Sequence, residues 1–230
     1  MFKRNKCLIA GIALFLVFVI FTICIKFVDV AAVGPLGSKV GFSHLNNAVF
    51  KFIGESDTWF KITEVLGIIS LLVAGGFAVF GMIQLIKRKK LKLIDNNIFM
   101  LGIFYVVVAL LYLMFEIVVV NKRPILIGGE LETSYPSSHT MLSVFIMGSA
   151  MIQFHKLIGN KKRLVFALDI ISFSIIGFTV IGRLLSGMHW ITDIFAGLLI
   201  SLSLMFLYCA VIKIIEDRKV IKEKLKDSKN

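Results

Sequence analysis

The sequence is poor in cysteine and in acidic residues, and both shortages limit what the chain can be. Its three cysteines, Cys7, Cys24 and Cys209, are far apart, and no pair has the C-x-x-C spacing of a metal or redox motif. Its 14 acidic residues stand against 26 lysines and arginines, which gives a net charge of +12. No aromatic residues are interleaved with the basic runs, so we expect no nucleic acid as a partner.

Apolar sequence, in contrast, is abundant. Hydrophobic residues make up 58% of the chain and the mean hydropathy is +0.91, whereas soluble domains usually have roughly 45–50% apolar residues. A helix needs about 20 residues to cross the hydrocarbon core of a bilayer, and six segments are long enough. They are Cys7 to Val28, Ile62 to Ile86, Ile98 to Val120, Thr140 to Ile158, Leu164 to Leu185 and Ile191 to Ile215. The predicted fold class is all-α, a polytopic membrane protein with six transmembrane helices in one bundle.

The first segment has some features of a cleaved signal peptide. Lys3, Arg4 and Lys6 precede it, and Val30-Ala31-Ala32 is a loose cleavage pattern. Its apolar stretch, however, exceeds the roughly 7–15 residues of a signal-peptide core. We therefore expect it to be retained as a transmembrane span.

Clusters of basic residues predict the orientation of the bundle. They lie at the N-terminus, in residues 87–92, in residues 161–163 and in the tail after Arg218. With six spans these regions share one side, which the positive-inside rule makes cytoplasmic. Both termini are therefore predicted to be cytoplasmic, in a multi-pass protein of the plasma membrane. Anionic membrane lipids are expected partners of the basic residues.

The chain is predicted to form a single membrane-embedded domain over residues 1–230, with its polar motifs in a core of about 98–215. Residues 29–61 are expected to be external and to lie along the membrane interface, because Trp59 and Phe60 with charged neighbours favour that depth. Residues 216–230 are predicted to be a cytoplasmic basic tail. The sequence leaves the oligomeric state open.

The first of two polar segments runs from Arg123-Pro124 to His139. Pro136 disfavours a helical conformation for the residue before it, so Ser137 or Ser138 is the predicted N-cap of the fourth span. The free N–H groups of a helix start, together with serine hydroxyls, suit a bound oxyanion. His139 would then lie in the first turn, within reach of a phosphate ester.

The second polar segment contains Arg183, His189 and Asp193. The guanidinium of Arg183, like that of Arg123, can hold two phosphate oxygens in a fork. If the sixth span begins near Met188, His189 and Asp193 share a helix face. Asp193 would then accept a hydrogen bond from one imidazole nitrogen and leave the other free as a nucleophile. Both segments fall on the outer side, so we expect one extracytoplasmic site.

These residues resemble the three motifs of the type 2 phosphatidic acid phosphatase family, which are membrane lipid phosphatases related to vanadium haloperoxidases. The family motifs are K-x6-R-P, P-S-G-H and S-R-x5-H-x3-D. The chain has Glu116-x6-Arg123-Pro124, Pro136-Ser137-Ser138-His139 and Gly182-Arg183-x5-His189-x3-Asp193. The resemblance covers the third to sixth spans, about half of the chain.

The resemblance implies a role for each matching residue. His189 would attack phosphorus and form a phosphohistidine, Asp193 would orient it, and His139 would protonate the leaving oxygen. The phosphate would be held by Arg123, Arg183, Ser137 and Ser138. Members of the family need no metal, so neither a metal nor another cofactor is expected.

Three departures from the family pattern affect the site. Glu116 replaces a lysine that binds phosphate in the family, Ser138 replaces a glycine and Gly182 replaces a serine. Lys122 is a candidate substitute for the lost lysine. We expect Glu116 to pair with a nearby cation, either Lys122 or Arg183.

The expected function is therefore that of an integral membrane phosphatase acting on the terminal phosphate of a lipid phosphate or pyrophosphate. Phosphatidic acid, phosphatidylglycerol phosphate and polyprenyl pyrophosphate all fit, the last only in a bacterial host, which the composition favours. A phosphotransferase that passes phosphate from His189 to an alcohol is one alternative. A non-catalytic lipid-binding or transport protein is the other, and Glu116 is the best argument for it.

Overall fold

In a computed structural model, which describes residues 2–227, seven α-helices and two short 3-10 turns account for nearly all of the regular structure. The described residues include no β-strand, only isolated bridges. The helices are α1 Phe2–Phe27, α2 Ser43–Ile53, α3 Asp57–Arg88, α4 Asn96–Ile117, α5 Ser138–Ile158, α6 Lys162–Leu185 and α7 Ile191–Asp227. The predicted all-α fold class is confirmed.

All helices except α2 are long and apolar enough to cross a membrane, so the predicted number of six spans is also confirmed. Their bounds differ from the sequence prediction by several residues at some places. Helix α3 begins at Asp57, where Ser56 accepts a hydrogen bond from the backbone N–H of Trp59. Helix α4 ends at Ile117, and α7 continues past Ile215 to Asp227. Residues 216–227, predicted as a tail, therefore prolong the last helix, and the rest of that tail lies outside the described residues.

Short connections make successive spans run in opposite directions. Residues 89–95 join α3 to α4, residues 159–161 join α5 to α6, and residues 186–190 join α6 to α7. We call the end of the bundle where α5 and α7 begin the motif end, and the opposite end the basic end. The last residues of the first polar segment therefore begin α5, and those of the second polar segment begin α7, both at the motif end.

Helix α5 lies at the centre of the bundle and packs against α3, α6 and α7. Much of its buried surface consists of small residues, which let helices approach closely in a membrane: Ser143, Gly148, Ser149 and Ala150. Hydrogen bonds add to this packing, since the Ser70 hydroxyl donates to that of Ser143 over 3.1 Å. Helix α1 packs against α7, where the Ser203 hydroxyl donates to the carbonyl of Gly11 over 2.8 Å.

Helix α2 lies within the predicted external segment and is fixed to the start of α7. The buried Asn46 donates to the carbonyl of Gly41 over 2.7 Å and to the hydroxyl of Thr192 over 3.0 Å. At the other end of the preceding loop, Asp29 accepts hydrogen bonds from Ser43 and from the backbone of His44. The hydrogen bonds from His44 lower the pKa of Asp29. The negative charge of Asp29 is therefore favoured at the N-terminal end of α2, where it stabilises the helix.

The connection from α4 to α5 folds back on itself as a small hairpin. Isolated bridges pair Lys122 with Thr133 and Ile127 with Glu130, around a turn at Gly128 and Gly129. Both glycines have positive φ angles, 59° and 88°, as hairpin turns of this kind require. The hairpin places Arg123 beside the residues that precede α5.

Candidate active site

The first turn of α5 forms one wall of the site. Ser137 is its N-cap, as predicted, and its side chain accepts from the backbone N–H of Thr140 over 3.5 Å. The backbone N–H of Ser137 itself donates to the carbonyl of Asp193 over 3.0 Å. This bond joins the start of α5 to the start of α7 and leaves Ser138 and His139 facing outward from the first turn.

The turn between α6 and α7 forms the second wall. Helix α7 begins at Ile191, as the predicted span does, and not near Met188, as the expected pairing of His189 with Asp193 required. The carboxylate of Asp193 accepts from the backbone N–H of Trp190 over 3.1 Å, as the third residue of a helix does in a capping box. The Trp190 indole donates to the carbonyl of Lys122 over 2.7 Å, which ties this turn to the hairpin.

His189 lies in that turn with only 3% of its surface exposed. Its Nδ1 is 2.9 Å from the carbonyl oxygen of Ser134. Because a carbonyl only accepts, Nδ1 carries the proton and Nε2 has a free lone pair. Burial lowers the pKa of His189 well below its usual value, and the charges of Arg183 and Arg123 lower it further. The imidazole is therefore neutral, and its buried Nε2 has no hydrogen-bond partner in the described structure.

The predicted hydrogen bond from His189 to Asp193 is wrong. Since α7 begins after His189, the two side chains do not share a helix face, and the carboxylate of Asp193 instead accepts from Trp190 and from Asn121. Asn121 in turn accepts, through its backbone carbonyl, the N–H of Ser134 over 3.1 Å. Asp193 is therefore connected to His189 indirectly, through the loop that carries the Ser134 carbonyl.

The two arginines are held by different partners. Arg183 is 1% exposed, and its Nη1 donates to the Thr63 hydroxyl over 3.1 Å and to Glu64 Oε1 over 3.0 Å. Arg123 lies with its Nε 3.1 Å from Glu132 Oε2. Arg183 is thus oriented by a charge-assisted hydrogen bond to a carboxylate, whereas Arg123 donates from Nη1 to the carbonyl of Met188 over 3.4 Å.

Glu64 is a site residue that the sequence interpretation missed. Its Oε1 lies 3.2 Å from His139 Nε2 and 3.0 Å from Arg183 Nη1, so one carboxylate oxygen joins two predicted site residues. A signal was present, because an ionisable residue inside an apolar span is functional by default. The sequence did not indicate which residues Glu64 contacts, because its partners lie on two other helices, His139 on α5 and Arg183 on α6.

The predicted ion pair of Glu116 with Lys122 or Arg183 is wrong. Glu116 accepts a hydrogen bond from the Thr133 hydroxyl over 2.9 Å and has no ion-pair partner among residues 4–221. Lys122 donates instead to the carbonyl of Leu131 over 3.3 Å. The hairpin explains both contacts, because it carries Thr133 toward the end of α4 and turns Lys122 along its own backbone.

Two neighbouring cavities bring the remaining residues together. The larger, which we call the vestibule, has a volume of about 620 Å³, and its lining includes Lys122, Arg123, His139 and Arg183. The smaller, of about 20 Å³, is lined in part by His189. Both share the side chains Tyr112, Glu116, Arg123, Thr133 and Ser138. Ser137 and Asp193 are fully buried behind these walls, and line neither cavity.

The fold and these residues define a class, a polytopic all-α membrane protein whose two polar segments line neighbouring cavities at one end of the bundle. Residues 116–215 match the family model of the PAP2 superfamily. The predicted family resemblance is thereby confirmed over these residues.

A crystal structure with a similar fold is that of the first transmembrane PAP2-type phosphatidylglycerolphosphate phosphatase from Bacillus subtilis. The two chains are 17% identical, the match covers 89% of this chain and 96% of the other, and the TM-score is 0.64. At this identity the likeness shows the fold alone. No curated protein matches the chain.

Proposed function

We propose that the chain is an integral membrane phosphatase that hydrolyses the terminal phosphate of a lipid phosphate or pyrophosphate. The observation that carries the proposal is His189, a buried and neutral imidazole. Its Nδ1 is fixed by the Ser134 carbonyl, and its Nε2 is unpartnered beside a cavity that shares lining residues with the vestibule. This is the arrangement of an oriented nucleophile, and the superfamily match supports phosphorus as its target.

In the proposed reaction, His189 Nε2 attacks phosphorus and the bond between phosphorus and the leaving oxygen breaks. His139 donates its proton to that oxygen, and the product alcohol or phosphate leaves. Water then attacks the phosphohistidine, with His139 taking up a proton, and His189 is released. Arg123 and Arg183 stabilise the charge on the transferred phosphoryl group. Ser138, in the first turn of α5, adds its hydroxyl and the N-terminal end of the helix.

The substrate is proposed to be a lipid because the site lies at one end of six transmembrane helices. A headgroup in the vestibule would leave its hydrocarbon chain among the apolar surfaces of the bundle. Phosphatidic acid, phosphatidylglycerol phosphate and polyprenyl pyrophosphate remain the candidates. The basic end is proposed to face the cytoplasm, which places the site on the outer face of the plasma membrane.

The test is phosphate release by the detergent-purified chain from a panel of lipid phosphates with a chelator present. We expect release by the parent and a loss of at least about a thousandfold in His189→Ala, since the nucleophile is removed. His155→Ala is a matched control, because His155 lies at the other end of α5 and pairs with Asp169 over 2.8 Å. Undiminished turnover by His189→Ala would contradict the mechanism, and no release from any lipid by the parent would favour a non-catalytic protein.

A further inference from the structure

The two histidines of the site have different acceptors beside them. His189 Nδ1 lies 2.9 Å from the backbone carbonyl oxygen of Ser134. His139 Nε2 lies 3.2 Å from a carboxylate oxygen, Oε1 of Glu64. A carbonyl group has no net charge, whereas a carboxylate favours a positive charge on the ring beside it. The two neighbours therefore favour different protonation states, a neutral ring for His189 and a charged ring for His139.

Helix α3 is shaped to receive the ring of His139. Gly67 follows Glu64 by three residues, so the two share one face of the helix. A Cβ at Gly67 would lie 2.8 Å from Cδ2 of His139 and 3.1 Å from its Nε2. The ring edge that carries Nε2 thus packs directly against the backbone of α3. This face of α3 offers His139 both a space for the ring and a carboxylate for one of its nitrogens.

Glu64 is itself held in place by Arg183. The Nη1 of this buried arginine donates to Glu64 Oε1 over 3.0 Å and to the Thr63 hydroxyl over 3.1 Å. Glu64 Oε1 therefore has a fixed cation on one side and His139 on the other. The contact with His139 belongs to a network that joins α3, α5 and α6, and the position of the carboxylate is set by that network.

Charged groups on other elements also act on His139. Arg183 on α6 and Arg123 on the hairpin line the vestibule with it, and their positive charges oppose a charge on the ring. His189 is neutral and adds no charge. The further charged residues of the vestibule lining, none of which forms an ion pair with His139 in the described structure, are Glu116 on α4 and Lys122, Glu130 and Glu132 on the hairpin. A phosphate dianion bound to both arginines would offset their charges, and the phosphate and Glu64 would then both favour the charged ring.

We propose that Glu64 is a positioning residue for the proton donor His139, which it holds at Nε2 and favours in the charged form. The inference rests on the proposed function and adds a residue from outside the range 116–215 that matches the family model. A charged imidazole carries two N–H groups, so one can remain with Glu64 while the other is given to the leaving oxygen. The ring is then neutral, and it takes a proton from the attacking water in the second step. Glu64 would give up Arg183 to the phosphate and keep its contact with His139.

The test compares two lipid phosphates whose leaving groups differ in basicity, hexadecyl phosphate and 4-hexadecyl-2-nitrophenyl phosphate. An alkoxide needs a proton to leave, whereas a nitrophenolate leaves without one. Glu64→Gln keeps the size of the side chain and removes its charge. In this variant of the full detergent-purified chain, we expect kcat/KM to fall about a hundredfold for the alkyl lipid and by no more than about threefold for the nitrophenyl lipid. His139→Gln should show the same selectivity. Asp57→Asn is the matched control on α3, since Asp57 pairs with Lys61 outside the vestibule, and should change neither value.

Each outcome decides the inference. A loss of equal size for both lipids in Glu64→Gln would overturn it, because a role limited to folding or to orienting Arg183 does not depend on the leaving group. Unchanged kcat/KM values would overturn it as well. If the parent chain hydrolyses neither lipid, the proposed function fails separately, and nitrogen NMR of the histidine-labelled chain then decides. The titration midpoint of His139 should be about one pH unit lower in Glu64→Gln than in the parent, and an equal midpoint would overturn the inference.

Discussion

The Nδ1 of His189 is bonded to the Ser134 carbonyl, and its Nε2 has no hydrogen-bond partner in the described structure. In the proposed reaction, Nε2 can attack only while it is unprotonated. Burial and the charges of Arg183 and Arg123 lower its pKa. A histidine with a lowered pKa remains neutral while the pH falls through the ordinary value of about 6.5 and takes up a proton only below its own pKa. The nucleophile should therefore stay active in mildly acidic solution.

We expect the burst of phosphohistidine formation to be as large at about pH 5.5 as at neutral pH, since the imidazole is still neutral there. The measurement is rapid-quench labelling with a phosphorus-labelled lipid, with His189→Ala as the baseline. A burst that declines on the acid side with a midpoint near 6.5 would show that His189 titrates as an ordinary solvated histidine.

Glu64 lies between Arg183 and His139, two of the residues that contact the phosphate in the proposed reaction. Its side chain is 42% exposed, so it has room to move aside when a ligand arrives. In Glu64→Gln the negative charge is gone, and we expect inorganic phosphate to inhibit about tenfold more strongly. The measurement is the inhibition constant for phosphate, with Asp57→Asn as a control on the same helix. An unchanged constant would mean that Glu64 does not compete with phosphate.

At the scale of elements, the contact between the first turns of α5 and α7 holds the site together. Gly197 is what permits it, because a Cβ at that position would lie 2.9 Å from the carbonyl oxygen of Ser137. No such obstacle exists at Gly177 on α6, where nothing lies within 4 Å of an added Cβ. The two glycines therefore form a matched pair.

We expect Gly197→Ala to lower the free energy of unfolding by about 1–3 kcal/mol through overpacking and to reduce phosphate release as the two helix starts move apart. Gly177→Ala should be neutral or stabilise by up to about 1 kcal/mol, because alanine is the better helix former. Thermal unfolding in detergent and activity assays on both variants test this. Equal behaviour of the two variants would show that the contact between the helix starts tolerates a methyl group.

Local signals account for the elements that the sequence predicted. The six spans follow from apolar length, and the start of α5 follows from Pro136 and Ser137. The predicted start of the sixth span at Ile191 agrees with α7, whereas the start near Met188 that the pairing of His189 with Asp193 required is wrong. The partners of Glu64 and Glu116 were beyond sequence reasoning, since they depend on how α3 packs and on where the hairpin places Thr133.

At the scale of the whole molecule, the direction of the bundle in the membrane is a separate prediction. We expect a cysteine introduced as Glu130→Cys, at the motif end, to react with a membrane-impermeant maleimide in intact cells. Lys89→Cys, at the basic end, should react only after the cells are opened. Both variants need a background in which Cys7, Cys24 and Cys209 are replaced by alanine. Labelling of Lys89→Cys alone in intact cells would invert the proposed orientation.

The helices contribute unequally to the wall of the vestibule. Its lining comes from α3, α4, the hairpin, α5 and α6, whereas α1, α2 and α7 contribute none of it. Helix α2 is fixed through Asn46 to the start of α7 and, with α1, covers that side of the motif end. The vestibule thus lies on the side of the motif end formed by α3 and α4, away from α1 and α2. Lipid traffic would be one-sided, with substrate arriving and product leaving across the same face of the bundle.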